Sequence, residues 1–255
     1  DLSRKTPAEW LALLSHPNKW HRQEAARLLA WRATPDSLEA LRSRLEQPTA
    51  PVEALWALSQ ADALTESVAL VGLRHPSALI REWTVRLLGD RRQVSAELME
   101  PLLERVRVED DVRVRAQMAA SARRLPTGQA LPVVAELMRR DADAADPSIP
   151  LLCWWVLESH WANGREAVLG LFEPAGVWDE VLVRDHVLPR LMRRLAMEGR
   201  RADLLVCADL LRRAPTPEAR TRLLQGFEEA YRGRSLTGLP DELLAALNLS
   251  GGASL

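Results

Sequence analysis

The stretch His16-Pro17-Asn18-Lys19-Trp20-His21-Arg22-Gln23-Glu24-Ala25-Ala26-Arg27-Leu28-Leu29 constrains this chain more than any other. Its pattern H-P-x4-R-x4-R-L-L returns at His75-Pro76, Arg81, Arg86, Leu87 and Leu88, so the chain carries an internal repeat. A proline just inside a helix start fits the N–H that is missing there, and the apolar residues that follow recur at helical spacing. A unit of this length cannot bury its own apolar stripe alone. It must stack on a like neighbour, which predicts an array of antiparallel helical pairs, an α-solenoid.

Reading onward, Thr6-Pro7-Ala8-Glu9 is a capping box with Pro7 at the first helical position, and it predicts a helix through Leu14 followed by a second to about Trp31. Thr34-Pro35-Asp36 restarts the pattern, with helices expected over Ser37 to Leu45 and Val52 to Ala63. Three further pairs are expected: Glu66 to Leu73 with Ala78 to Leu88, Ala96 to Val106 with Val112 to Leu125, and Gly128 to Arg140 with Ile149 to Trp161. The breaks within the pairs begin at His16, Gln47, His75, Glu109 and Asp146, at spacings of 28 to 37 residues. Beyond Asn163-Gly164 the signature fades, Glu173-Pro174-Ala175-Gly176 interrupts, and helices over Asp185 to Met197, Ala202 to Arg213, Pro217 to Tyr231 and Pro240 to Leu247 remain. No segment alternates apolar and polar residues as a half-buried strand does. The expected organisation is all-α: repeats over residues 1–163, irregular repeats and a cap over 164–235, and a short helix with a Gly/Ser-containing tail over 236–255.

Composition narrows function by exclusion. With 255 residues, 47% of them hydrophobic, the chain can bury a sizeable core. Its formal net charge of -1 disfavours a protein whose affinity comes from neutralising many phosphates. No apolar run has the length of a membrane span, and Asp1-Leu2-Ser3-Arg4-Lys5 does not read as a signal peptide. The missing initiator Met and the ending after Ser250-Gly251-Gly252-Ala253-Ser254 suggest a piece of something longer. Cys153 and Cys207 form no C-x-x-C; buried free thiols are expected, and a disulfide between them stays open.

Catalytic signatures do not emerge: there is no G-x-S-x-G, no phosphate-binding loop and no dinucleotide fingerprint. The histidines, His16, His21, His75, His160 and His186, have no metal-ligand spacing, and no catalytic, cofactor or metal residue is assigned. Asp110-Asp111, Asp141 to Asp146 and Glu228-Glu229 read as solvated acids. Two constellations deserve weight. In the first, a break residue stands six positions before a helix residue: His16 with Arg22, His75 with Arg81 and Glu109 with Arg115, while Glu53 occupies the arginine position of the second repeat. These residues form either a cationic ladder facing a ligand or a structural ladder whose arginines satisfy loop carbonyls and neighbouring carboxylates. The structural reading is preferred, with Glu53 free to pair with Arg22 or Arg81. In the second, Trp20, Trp56, Trp83, Trp154 and Trp155 fall on the second helices of their pairs, as core or as an aromatic interaction strip. Adjacent Trp154 and Trp155 diverge by about 100° and cannot both face one core.

Leu13-Leu14-Ser15-His16-Pro17-Asn18, Trp20, Arg22, Ala25 and Arg27-Leu28-Leu29, then Ala54-Leu55-Trp56-Ala57-Leu58, His75-Pro76, Arg81-Glu82-Trp83 and Val85-Arg86-Leu87, together resemble the HEAT-repeat region of the PVC-type haem-binding dehydrogenases, which are large bacterial proteins. The resemblance covers residues 1 to 88 best. It implies a HEAT-like spacer between a sugar-dehydrogenase-like β-propeller and a c-type cytochrome domain, with those flanking domains as partners and a periplasmic or membrane-associated setting. The C-x-x-C-H of such a cytochrome does not occur in this chain, so no residue receives a haem-attachment role and no cofactor is expected here. The expected function is a non-catalytic scaffold or protein-interaction module. The alternative is a nucleic-acid binder similar to the alkylpurine DNA glycosylases, which also place Trp and Arg on helical pairs.

Overall fold

Local capping chemistry sets where the helices begin. In the computed structural model, which describes residues 2–248, Thr6 Oγ1 accepts the Glu9 N–H while Glu9 Oε2 accepts the Thr6 N–H, and α1 (Pro7–Leu13) starts there. Asn18 caps α2 (Lys19–Trp31), and Thr34 caps α3 (Pro35–Leu45) through a reciprocal bond with Ser37. Then follow α4 (Val52–Gln60), α5 (Glu66–Arg74), α6 (Ala78–Asp90), α7 (Ala96–Val108), α8 (Val112–Ala122) and α9 (Thr127–Met138). The described residues are all-α, with no strand among them. The Gly/Ser-containing end expected at 250–255 lies outside the described residues.

The chain divides into two compact units, residues 1–133 and 134–255, with the boundary inside α9. In the first unit α1 packs on α2, α3 on α4 and α5 on α6. Odd helices also contact odd ones (α1 with α3, α3 with α5, α5 with α7), and even helices contact even ones (α2 with α4, α4 with α6, α6 with α8). The residues that make this possible are small or aliphatic: Ala25, Ala26, Leu28 and Leu29 of α2 and Ala54, Leu55, Ala57 and Leu58 of α4 are all buried. The second unit contains α10 (Ile149–Gly170), α11 (Leu188–Glu198), α12 (Arg201–Arg213), α13 (Pro217–Tyr231) and α14 (Asp241–Asn248). Within it α11 packs on α12 and α13, and α12 on α13 and α14. Gly226 of α13 lies so close to α11 that a Cβ there would overlap Pro189 O.

Several expectations are corrected. Pro17 and Pro76 do not sit inside the helices; they precede the N-cap residues Asn18 and Ser77, where they hold the chain extended before the helix turns. The helix begun at Val52 stops at Gln60, short of Ala63, because Asp62 takes the left-handed conformation (φ 53°) and the Ala63 N–H reaches back to Leu58 O. The helix begun at Val112 ends at Ala122, short of Leu125. The helix begun at Ile149 runs to a kink at Gly164 (φ −152°, ψ 34°), three residues beyond the expected end at Trp161, and a second helical stretch follows to Gly170. The helix expected from Asp185 begins as a π-helical turn over Val183–Val187. The acids at 141–146 are not simply solvated. Asp143 is buried, Asp146 Oδ1 accepts the Ser148 and Ile149 N–H groups, and Asp141 accepts from Val181 N.

Candidate functional site

The repeat motif resolves into one construction used three times. Arg22 Nη1 donates to His16 O and Pro17 O at 3.0 and 3.1 Å, Arg81 Nη1 to His75 O and Pro76 O at 2.9 Å each, and Arg115 Nη1 to Glu109 O and Asp110 O at 3.1 and 2.8 Å. Those carbonyls belong to the turn before the helix and have no place in a helical ladder, so the arginine supplies the donors they need. The break side chain caps the same turn: His16 Nδ1 accepts from Asn18 N, His75 Nδ1 from Ser77 N and Glu109 Oε1 from Asp111 N.

The same side chains cross between pairs. Arg22 Nε reaches Glu53 Oε1 at 2.8 Å, so Glu53 belongs to Arg22. Arg81 pairs with Glu109 instead, through two bonds of 2.7 Å. Because Nδ1 of His75 is an acceptor, its Nε2 carries the proton and donates to Gln47 O at 3.0 Å, linking the third pair back to the second. Glu109 has no exposed side-chain surface and also meets Arg105. Burial pushes its carboxyl up, but Arg81, the Asp111 N–H and Arg105 together outweigh that and hold it below the usual carboxylate value.

The tryptophans differ in exposure. Trp20 is exposed, Trp56 and Trp83 are half-buried and meet edge to face at 4.8 Å, and Arg86 lies over the Trp83 ring. Trp31, which the sequence did not single out, is the most exposed of all at 70%. Trp154 is buried, whereas its neighbour Trp155 is 39% exposed. Trp10 and Trp178 are core, each with its indole N–H on a backbone carbonyl.

Trp154 and Trp155 instead open onto a surface groove of about 580 Å³ between α10 and α11. From α10 it takes Leu151, Trp154, Trp155 and Glu158, and from α11 Arg190, Arg193, Arg194, Met197 and Glu198. Each set follows the i, i+3, i+4, i+7 spacing of one helix face. That spacing is visible in the sequence, but which two faces meet is not. Arg194 stands between Glu158 (3.2 Å) and Glu198 (3.6 Å).

Among the described residues no three or more His, Cys, Asp and Glu gather where they could hold a metal ion. No described helix is long and apolar enough to cross a membrane. Cys153 and Cys207 are free, buried thiols, and burial pushes both up to about 12. Compared with family models, curated proteins and solved structures, the chain matches none.

Proposed function

We propose that the chain is an α-solenoid of HEAT-like helical pairs and works as a non-catalytic spacing and interaction module. By its resemblance, it would hold a propeller-like catalytic domain and an electron-accepting cytochrome domain apart in a larger bacterial protein. The observation that carries this reading is the arginine ladder. Arg22 and Arg81 each tie the turn of their own pair to a carboxylate further along the first unit, so a displacement of one helical pair breaks charged hydrogen bonds in another. A stack cross-linked in this way transmits position, which is what a spacer has to do. It also speaks against a nucleic-acid role for Arg81, whose Nε, Nη1 and Nη2 are all engaged by carbonyls and a carboxylate.

The test is a distance distribution inside the first unit of the whole chain. Fluorophores on Ala12→Cys and Glu104→Cys, both at exposed positions of α1 and α7, would report it. The buried native thiols, with their raised values, would compete poorly for the label. A single narrow distribution is expected, broadened when Arg22→Met cuts the bond to Glu53. A broad distribution in the protein with Arg22 intact overturns the spacer reading.

A further inference from the structure

The groove between α10 and α11 has a chemistry of its own. It is an open surface recess of about 580 Å³, wide enough to take a side chain or two of a partner. Trp155 and Met197 stand at its rim, 39% and 51% exposed, beside the buried indole of Trp154. Part-exposed aromatic and thioether side chains next to a recess are what a partner's apolar side chain would cover.

Its charges are unequal. Arg194 offsets Glu158 and Glu198, which it contacts directly. Arg193 has Glu229 at 3.6 Å in an exposed pair, where screening leaves little attraction. Among the described residues Arg190 has no carboxylate within ion-pair distance; its Nη1 donates to His186 O at 2.7 Å. Burial first, then Arg190, holds the His186 imidazole below the ordinary value. A guanidinium bonded to a carbonyl, with no carboxylate beside it among the described residues, therefore lies on the same groove as two indoles.

We propose that this groove binds a short peptide segment of a protein partner in which a bulky apolar side chain lies close to an acidic one. The apolar group would cover Trp155 and Met197, and the carboxylate would pair with Arg190 and Arg193. A nucleic acid fits less well, because Glu158 and Glu198 line the same groove and would repel a phosphate backbone running along it, whereas a peptide can place its carboxylates away from them. This assignment rests on the interaction-module reading and gives that module a partner chemistry.

The experiment is selection of a random-peptide display library on the whole chain, followed by fluorescence polarisation of the enriched peptides. Enriched peptides should carry Asp or Glu beside Trp, Phe or Leu. Their affinity should fall about tenfold or more in Arg190→Glu/Arg193→Glu, fall in Met197→Ala, and hold in Arg212→Glu, a charge reversal on exposed α12 surface. Met197 is at the rim, so its variant reports on the groove even where the double reversal fails to fold. Enriched peptides indifferent to the groove variants overturn the groove assignment and leave the module reading standing. Failure to enrich any peptide, together with tight salt-dependent binding of a mixed-sequence DNA oligonucleotide, overturns both.

Discussion

Arg81 satisfies four acceptors with one planar group: two carbonyls of its own turn and both oxygens of Glu109. A lysine has three donors on a point charge and cannot span them, so the ladder needs arginine for geometry and not only for charge. Removing a partner from a buried pair leaves an uncompensated charge, at a cost of about 3–5 kcal/mol. Glu109→Ala should lose stability of that order in urea titration, because Arg81 and Arg105 are then both left without it. Glu53→Ala should lose less, because Arg22 keeps 27% of its side chain in solvent. The pH dependence has a defined sign. The Glu109 carboxyl lies below its ordinary 4.5 in the folded chain. Its stabilisation is therefore complete above that value and disappears as the pH falls through the lower folded one. Glu109→Gln should flatten the acid limb of the stability curve, and an unchanged limb would show that other carboxylates govern it.

Between elements, one close approach in the second unit is set by an absent side chain. Gly226 lets α13 lie against the Pro189 carbonyl of α11, and a methyl there would overlap a backbone atom that cannot rotate away. Overpacking of this kind costs about 1–3 kcal/mol. Gly226→Ala should lower the melting temperature accordingly, although alanine is the better helix former and would stabilise an unconstrained helix. Gly199, at φ 67° with open space around it, closes α11 for a different reason, its left-handed backbone.

For the molecule as a whole, the proposed array predicts a gradient of stability, because each pair is held only by its neighbours. In the first unit α4 touches α2 and α6 as well as α3, and most of its length is buried, whereas α1 exposes most of its residues. Native-state hydrogen exchange should find amides of α4 and α6 protected well beyond those of α1. Uniform protection would mean one all-or-none unit and would count against an array. The all-helical class, most helix starts and the six-residue step from break to arginine were legible in the residues themselves, because capping, apolar periodicity and turn chemistry act over a few positions. Which carboxylate answers which arginine was not. Glu53 had two arginines within reach, and the choice of Arg22 over Arg81 depends on how the helical pairs stack. Nor was the fate of the tryptophans: Trp154 and Trp155 are neighbours in the chain, and only the packing of α10 makes one core and the other rim. The groove belongs wholly to tertiary structure, since its two walls are separated by more than thirty residues that carry no mark of where they will meet. Local chemistry decided what the pieces are, and the burial of apolar faces against distant partners decided where charge and aromatic surface were left over.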